Sequence, residues 1–483
     1  MRILMPRALA VLAPALLAVS TGFGAANVVF IMADDLGWND VGYHGSEIWT
    51  PHIDSIANRG LRLDRYYASP LCSPTRAAFL TGRNPLRLGI DRPIETKGGL
   101  PLDETLLPQV LAEAGYQTAM TGKWHLGLEH INFHPYNRGF ASTHGHLGPG
   151  LDYWTHIWDG GLDWHRDGGA LEEPGYSTRL IGGEAQRVIR ERDPSRPLFL
   201  YVAFNAPHAP LQAPPETAQA YGFVQDPNRR TYAAMVSEMD GAVGEILKSI
   251  EDAGISESTL LIWCSDNGGA VRLGADNSPL RGGKGGVFEG GIRLPAAIWH
   301  PGVVEGGREF SQMMTAMDWL PTIASATGIR LPQGVELDGR DMWPALTSGA
   351  PAESMPPFVV GVFNSLAVID GNWKYVEARR RGGGGIDRHL FRIDRDPGES
   401  RDIAESRPDK LAEMAEHLRN FPRAATVAPD VLPPGGRGRG PRGRPPEKAA
   451  RPRPGQQPGR GGGAVDGWKE ITKPPWVEAA KRD

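Results

Sequence analysis

Three continuous apolar runs, each ending in a turn of acidic or histidine residues, constrain this chain more than any other feature. Residues 27–32 (NVVFIM) run into Asp34-Asp35. Residues 197–204 (PLFLYVAF) lead to His208. Residues 259–264 (TLLIWC) lead to Asp266-Asn267. Short apolar runs without alternation predict strands buried on both faces, as in a parallel sheet. Helical spacing lies between them, over 106–114 with Gly115 as a stop, and over 232–250, ending near Gly254. Strands alternating with helices predict an α/β fold whose sheet is covered on both faces. In such a sheet the loops at the carboxyl ends of the strands gather on one edge. Asp34, Asp35, His208, Asp266 and Asn267 are therefore expected to converge.

The texture changes after about residue 355. Short strand-like pieces at 358–362, 365–369, 373–378 and 389–393, then a helix over 408–421, predict a small antiparallel sheet carrying one helix. Residues 433–463 are Gly, Pro and Arg, with eight Lys/Arg against the single acid Glu447. Such composition cannot bury a core and is expected to be disordered, a solvated linker rather than a polyanion-binding arm. The start reads as an export signal: Arg2 and Arg7, an apolar run over 8–19, and small residues Gly24 and Ala26 before a cleavage at Asn27. That run is too short for a membrane span of about 20 residues. The expected organisation is a signal peptide at 1–26, a catalytic domain at 27–355, a small subdomain at 356–430, a disordered segment at 431–465 and a tail at 466–483.

The net charge of −4 shows no global basic field for nucleic acid. Two cysteines, Cys72 and Cys264, allow at most one disulfide, and none is expected. No Asn-x-Ser/Thr site with a permitted middle residue occurs. Both observations favour a periplasmic or secreted bacterial protein over a lysosomal one.

Asp34, Asp35, Asp266 and Asn267 are hard oxygen donors. Adjacent carboxylates repel unless a cation neutralises them, and oxygen-only ligation suits Ca²⁺ or Mg²⁺ rather than Zn²⁺. In Cys72-Ser-Pro-Thr-Arg76, continued by Leu80-Thr-Gly-Arg83, Pro74 sets a turn and Arg76 brings a fixed cation toward the thiol. By themselves these residues indicate an anion site beside a reactive sulfur.

Cys-Ser-Pro-Thr-Arg followed by Leu-Thr-Gly-Arg resembles the modification signature of the type I sulfatases, in which the cysteine becomes formylglycine. The resemblance extends over residues 27–404 through Ala33-Asp-Asp-Leu-Gly-Trp-Asn-Asp40, Gly122-Lys-Trp-His-Leu-Gly127, Pro207-His208, Ser265-Asp-Asn-Gly-Gly269 and Leu280-Arg-Gly-Gly-Lys284 with Glu289-Gly-Gly291. The wording around Asp34, Tyr66-Tyr67 and Lys123 is most similar to the arylsulfatase B branch, which acts on N-acetylgalactosamine 4-sulfate. The lysosomal members carry disulfides that this chain lacks. The resemblance implies an alkaline-phosphatase-like fold: a large mixed sheet flanked by helices, with a small C-terminal antiparallel sheet and helix.

It also implies site roles. Asp34, Asp35, Asp266, Asn267 and modified Cys72 would hold one Ca²⁺. Arg76, Lys123 and Lys284 would neutralise sulfate oxygens. The formylglycine hydrate would attack sulfur, His208 with Lys284 would protonate the leaving alcohol, and His125 would take the proton of the second hydroxyl. Maturation would require a formylglycine-generating enzyme. The expected substrate is a sulfated small molecule or glycan. Trp154, Trp158 and Trp164, within the Trp-rich stretch 151–166, are candidates to stack on a sugar. His44, His52, His144, His146, His156 and His165 receive no role. Cys264, two residues before Asp266, is expected to be a core residue. Two other readings stand beside this one: a phosphonate or phosphate diester hydrolase of the same superfamily, and a non-catalytic binder of sulfated glycans.

Overall fold

The computed structural model describes residues 26–95, 97–363, 365–380 and 385–424. Residues 1–25, where an export signal is expected, the Gly/Pro/Arg-rich segment and the tail lie outside the described residues.

The three apolar runs form strands Asn27–Ala33, Leu198–Ala203 and Thr259–Ser265, buried at every residue. Asn27–Ala33 lies between the other two and is parallel to both. The sheet has ten strands. Gln117–Lys123 and Ser142–His146 continue it in parallel on one side. Ala296–Trp299 joins antiparallel on the other, next to Leu61–Leu63. Side chains alternate between two cores, as the two-residue period of a strand requires. Val28, Phe30 and Met32 enter one; Val29, Ile31 and Ala33 enter the other.

A helix covers each face. Pro227–Asp252 packs Tyr232, Met235, Val236 and Met239 into the second core. Its observed start is five residues before the apolar period begins. Asp226 caps it, accepting the Asn228 N–H at 2.8 Å, and Pro227 takes the first helical position, and neither cap is apolar. Cys72–Thr81 covers the first face; the Phe79 ring lies 3.9 Å from that of Phe30, and both are fully buried. Burying a Phe of this kind stabilises by about 1.5–3 kcal/mol, and it seats the Cys72 helix on the central strand.

The C-terminal part is an antiparallel meander of Phe358–Val362, Ser365–Asp370, Trp373–Arg379 and Ile386–Arg392. The Pro408–Asn420 helix packs on it through Met414 and Leu418. The last strand starts earlier than its apolar residues indicate, because Arg379 pairs with Ile386 and extends the ladder. Among the described residues no helix is long and apolar enough to cross a membrane.

Candidate active site

The strand register assembles the site. Ala33 pairs with Ser265, and the Asp266 N–H donates to Ala33 O at 3.0 Å, so Asp34 and Asp266 leave adjacent strands at one level. The Asp34 N–H donates to Ala206 O at 3.0 Å, tying the same turn to the His208 segment. Gly122 pairs with Ala203, which puts Lys123 at the same edge. Gly122 sits at φ 103° with the Ala203 carbonyl where a Cβ would lie, so only glycine lets the strands meet there.

Each carboxylate has a cationic partner. Lys123 Nζ lies 2.6 Å from Asp34 Oδ2, Lys284 Nζ 2.6 Å from Asp35 Oδ2, and Arg76 Nη2 2.7 Å from Asp266 Oδ2. Asp266 Oδ1 accepts the Asp35 N–H at 3.2 Å, and Asn267 Nδ2 donates to Asp35 Oδ1 at 2.8 Å. Cys72 opens its helix, with Sγ 3.3 Å from Asp34 Oδ1 and 4.0 Å from Asp35 Oδ1. His208 Nε2 is 3.7 Å from Asp35 Oδ2, while Nδ1 is engaged with Ala209 O at 2.7 Å. Asp34, Asp35, Cys72 and His208 each offer a ligand atom within 4.8 Å of the others, a possible metal-binding group. The structure thus gathers all the residues expected at the site, Asp34, Asp35, Cys72, Arg76, Lys123, His125, His208, Asp266, Asn267 and Lys284, at one sheet edge.

Several groups there are strained or unsatisfied. Asp35 and His125 have φ of 68° and 56°, a left-handed conformation costly for residues with a Cβ. Both ring nitrogens of His125 and Oδ1 of Asn267 are buried without a hydrogen-bond partner. Burial and the facing Asp34 push the Asp266 carboxyl upward. An orphaned amide oxygen and crowded carboxylates are what a hard divalent cation would satisfy, so the donor set fits one.

Burial, then Asp34, pushes the Cys72 thiol up, so the unmodified side chain is a neutral thiol. The Arg76 guanidinium hydrogen-bonds Asp266 and, at 2.8 Å, Lys123 O rather than the sulfur. Burial opposes ionisation of Asp35, but the ammonium groups of Lys284 and Lys123 outweigh it and hold its carboxyl below the usual range. Burial and Lys284 lower His208 to about 3, and burial with Lys123 and Arg76 lowers His125, so both rings are neutral here.

The Trp-rich stretch divides. Trp164 is fully buried, donates from Nε1 to Glu173 at 2.8 Å and stacks on His156, so it cannot meet a sugar as expected. Trp154 is exposed, and half-buried Trp158 lines a cavity of about 420 Å³ with Leu128 and His165. Cys264 is buried in the first core, 3.9 Å from Tyr66 Oη.

Sequence reasoning missed the supports. Tyr232 Oη donates to Asp40 Oδ2 at 2.7 Å and lies 3.1 Å from Asp35 O. Ser73 Oγ donates to His125 O at 2.9 Å. Asp40 and Ser73 stand inside the quoted motifs, which was the available signal; Tyr232 is one apolar position among many on its helix.

A sheet edge that gathers a latent sulfur, three carboxylates and three fixed cations defines a hydrolase built for an anionic ester. The sulfatase family model matches residues 26–329. Arylsulfatase J of Mus musculus is 37% identical over 346 residues, 68% of this chain and 57% of that protein. N-acetylgalactosamine-6-sulfatase of Canis lupus familiaris is 36% identical over 392 residues, 74% of this chain and 73% of that protein. The crystal structure of Ps i-CgsB in complex with k-i-k-neocarrahexaose matches with a TM-score of 0.79 at 31% identity, covering 83% of this chain and 94% of that one. The chain belongs to the sulfatase family and is an enzyme of that class. It spans little more than half the length of arylsulfatase J.

Proposed function

We propose that this sulfatase cleaves the sulfate ester of a sugar, releasing alcohol and inorganic sulfate, with formylglycine made from Cys72 and with Ca²⁺ at the carboxylates. The observation that carries this reading is Cys72 itself. Its sulfur lies 3.3 Å from Asp34 in a buried cluster of carboxylates and cations, and burial raises the thiol, which supports a modified rather than a free side chain as the nucleophile. Asp34, Asp35, Asp266 and Asn267, with the modified Cys72, would hold the ion, which supplies positive charge to the ester oxygens. Formylglycine would supply a hydrated aldehyde, with one hydroxyl to attack and a second to let the sulfate leave.

The remaining chemistry belongs to this chain's side chains. Arg76, Lys123 and Lys284 neutralise carboxylates here. With a divalent charge on those carboxylates, the same cations are available to sulfate oxygens. Nδ1 of His208 donates to Ala209 O, so Nε2 is the ring atom that faces the leaving oxygen and, once it has taken a proton, passes it there, beside Lys284. His125, neutral and unpartnered at both nitrogens, is the base that receives a proton.

For substrate, the neighbour solved with a neocarrahexaose and the relatives named for N-acetylgalactosamine 6-sulfate support a sulfated glycan. The likeness to the arylsulfatase B branch supports a 4-sulfated galactosamine. Export rests on residues 2–26, and maturation on a formylglycine-generating enzyme. Mass spectrometry of the Cys72 peptide, after alkylation, tests the reading. Active protein is expected to carry an aldehyde; active protein with wholly alkylatable Cys72 would overturn it. Relative rates on an aryl sulfate and an aryl phosphate diester separate it from a diester hydrolase.

A further inference from the structure

Lys284 stands in a loop with almost no side chains to hold it. Glycines occupy 282, 283, 285, 286, 290 and 291, and such a sequence is costly to order by itself. Its ammonium must nevertheless stay 2.6 Å from Asp35 Oδ2. Near Lys284 the loop is tied through its backbone, the Lys284 N–H donating to Gly269 O and Asn277 Nδ2 to Gly282 O, both at 3.1 Å; the two flanking side chains that anchor it, Arg281 and Glu289, reach the C-terminal part of the chain.

Glu289 is fully buried. Its Oε1 lies 2.9 Å from Lys374 Nζ, on the second strand from the end of the small sheet, and its Oε2 accepts Tyr67 Oη at 2.8 Å. The Glu289 N–H donates to Glu399 Oε2 at 2.6 Å, and Lys374 Nζ also lies 2.8 Å from Glu399 Oε1. Arg281 donates to Glu399 O at 3.2 Å and lies over Phe288 and Phe391. Lys374 is inaccessible and Glu399 nearly so; Glu399 holds its place at φ 51°, costly for a residue with a Cβ. The other end of the linkage reaches the nucleophile. Tyr67 begins the segment that enters the Cys72 helix, and the Gly285 N–H donates to Pro70 O at 2.8 Å.

We propose that Lys374 and Glu399, neither of which touches the site, are positioning residues that clamp the Lys284 loop against the Cys72 turn, so that the small sheet sets the place of a catalytic cation. The proposal rests on the role given to Lys284 above. A buried ion-pair network gives little net stability, because desolvation offsets its attraction. Its gain here is geometric: a misplacement of about 1 Å at a reacting group can cost on the order of 10²-fold in rate.

The test is a double-mutant cycle on the full chain. Lys374→Met with Glu399→Gln removes one charge of each sign and leaves Glu289 with Tyr67. In the native background kcat on a sulfated sugar should fall roughly 10- to 100-fold with KM little changed. The loss should be smaller on an aryl sulfate, whose leaving group needs less help. In a Lys284→Ala background the same pair should change kcat less than about twofold, since the residue it acts through is gone. Amide hydrogen exchange over residues 280–291 should quicken in the variant while residues 117–123 are unaffected. Equal fold losses in both backgrounds, or unaltered exchange in the loop, would overturn the proposal. Glu399→Gln alone, which leaves Lys374 paired with Glu289, should show the same pattern at smaller size, and equal losses there would overturn it too. Absence of sulfate release by the native protein would count against the reading of function, and the exchange comparison would still judge the clamp.

Discussion

Two buried charge clusters lie at opposite ends of the Lys284 loop, and they are built differently. In the cluster of Lys374, Glu289 and Glu399, one buried ammonium is shared by two carboxylates, Glu289 Oε2 and Glu399 Oε2 accept from Tyr67 and a backbone N–H, and Glu399 Oε1 has its ion pair with Lys374 but no hydrogen bond. In the cluster around Asp35, an amide oxygen and both nitrogens of a histidine lack partners, and Asp35 and His125 are in left-handed conformations. A cluster paired almost throughout specifies one arrangement of the chain. An unsatisfied one retains the capacity to bind, and its cost is met by the packing around it. The difference separates the part that holds from the part that reacts, although both contain the same residue types.

That contrast can be broken most severely at the nucleophile. Cys72→Ala should abolish turnover, by roughly 10⁴-fold or more, because no other group can replace the attacking atom. Thermal unfolding should be nearly unaltered, and a large fall in midpoint would make Cys72 a core residue instead. Next come the carboxylates. Asp34→Asn or Asp266→Asn should lower metal affinity and rate together, by about 10- to 100-fold. Parallel titrations of activity and of bound metal check this, and full activity in a demonstrably metal-free sample would contradict it.

Smaller effects sharpen the comparison outside the clusters. Trp164→Ala should destabilise by about 3–5 kcal/mol and lower all activities alike, since its indole is internal. Trp158→Ala should reduce cleavage of a sulfated oligosaccharide up to about tenfold and spare a small aryl sulfate, as loss of a stacking face would. Equal losses on both substrates would assign Trp158 to folding. The smallest change is expected from Cys264→Ala: about 1 kcal/mol of stability, read by denaturant melts, with kcat retained.

Much of the site was legible because it sits where apolar runs end. Asp34-Asp35 and Asp266-Asn267 announce themselves as acids closing strands that no water reaches. Lys123 and His125 were legible only through likeness to a family, since QTAMTGK reads poorly as a strand and its burial comes from neighbours on both sides. Trp164 shows the reverse failure. Composition marked three tryptophans as equivalent, and only packing decided that one is internal.

The sequence by itself determined the α/β class, the central strands, the residues at their carboxyl ends and the small antiparallel sheet, because burial period and turn chemistry are local properties. Tertiary structure alone decided the partners. It turned Arg76 to Asp266 rather than to the thiol, raised the thiol by burial and joined Lys374 and Glu399 to the loop that carries Lys284. Those outcomes depend on strand register and on which charges share a dry interior. Neither is written in any short stretch of chain, because a charge in a low-dielectric interior takes its partner from whatever the fold brings within about 3 Å.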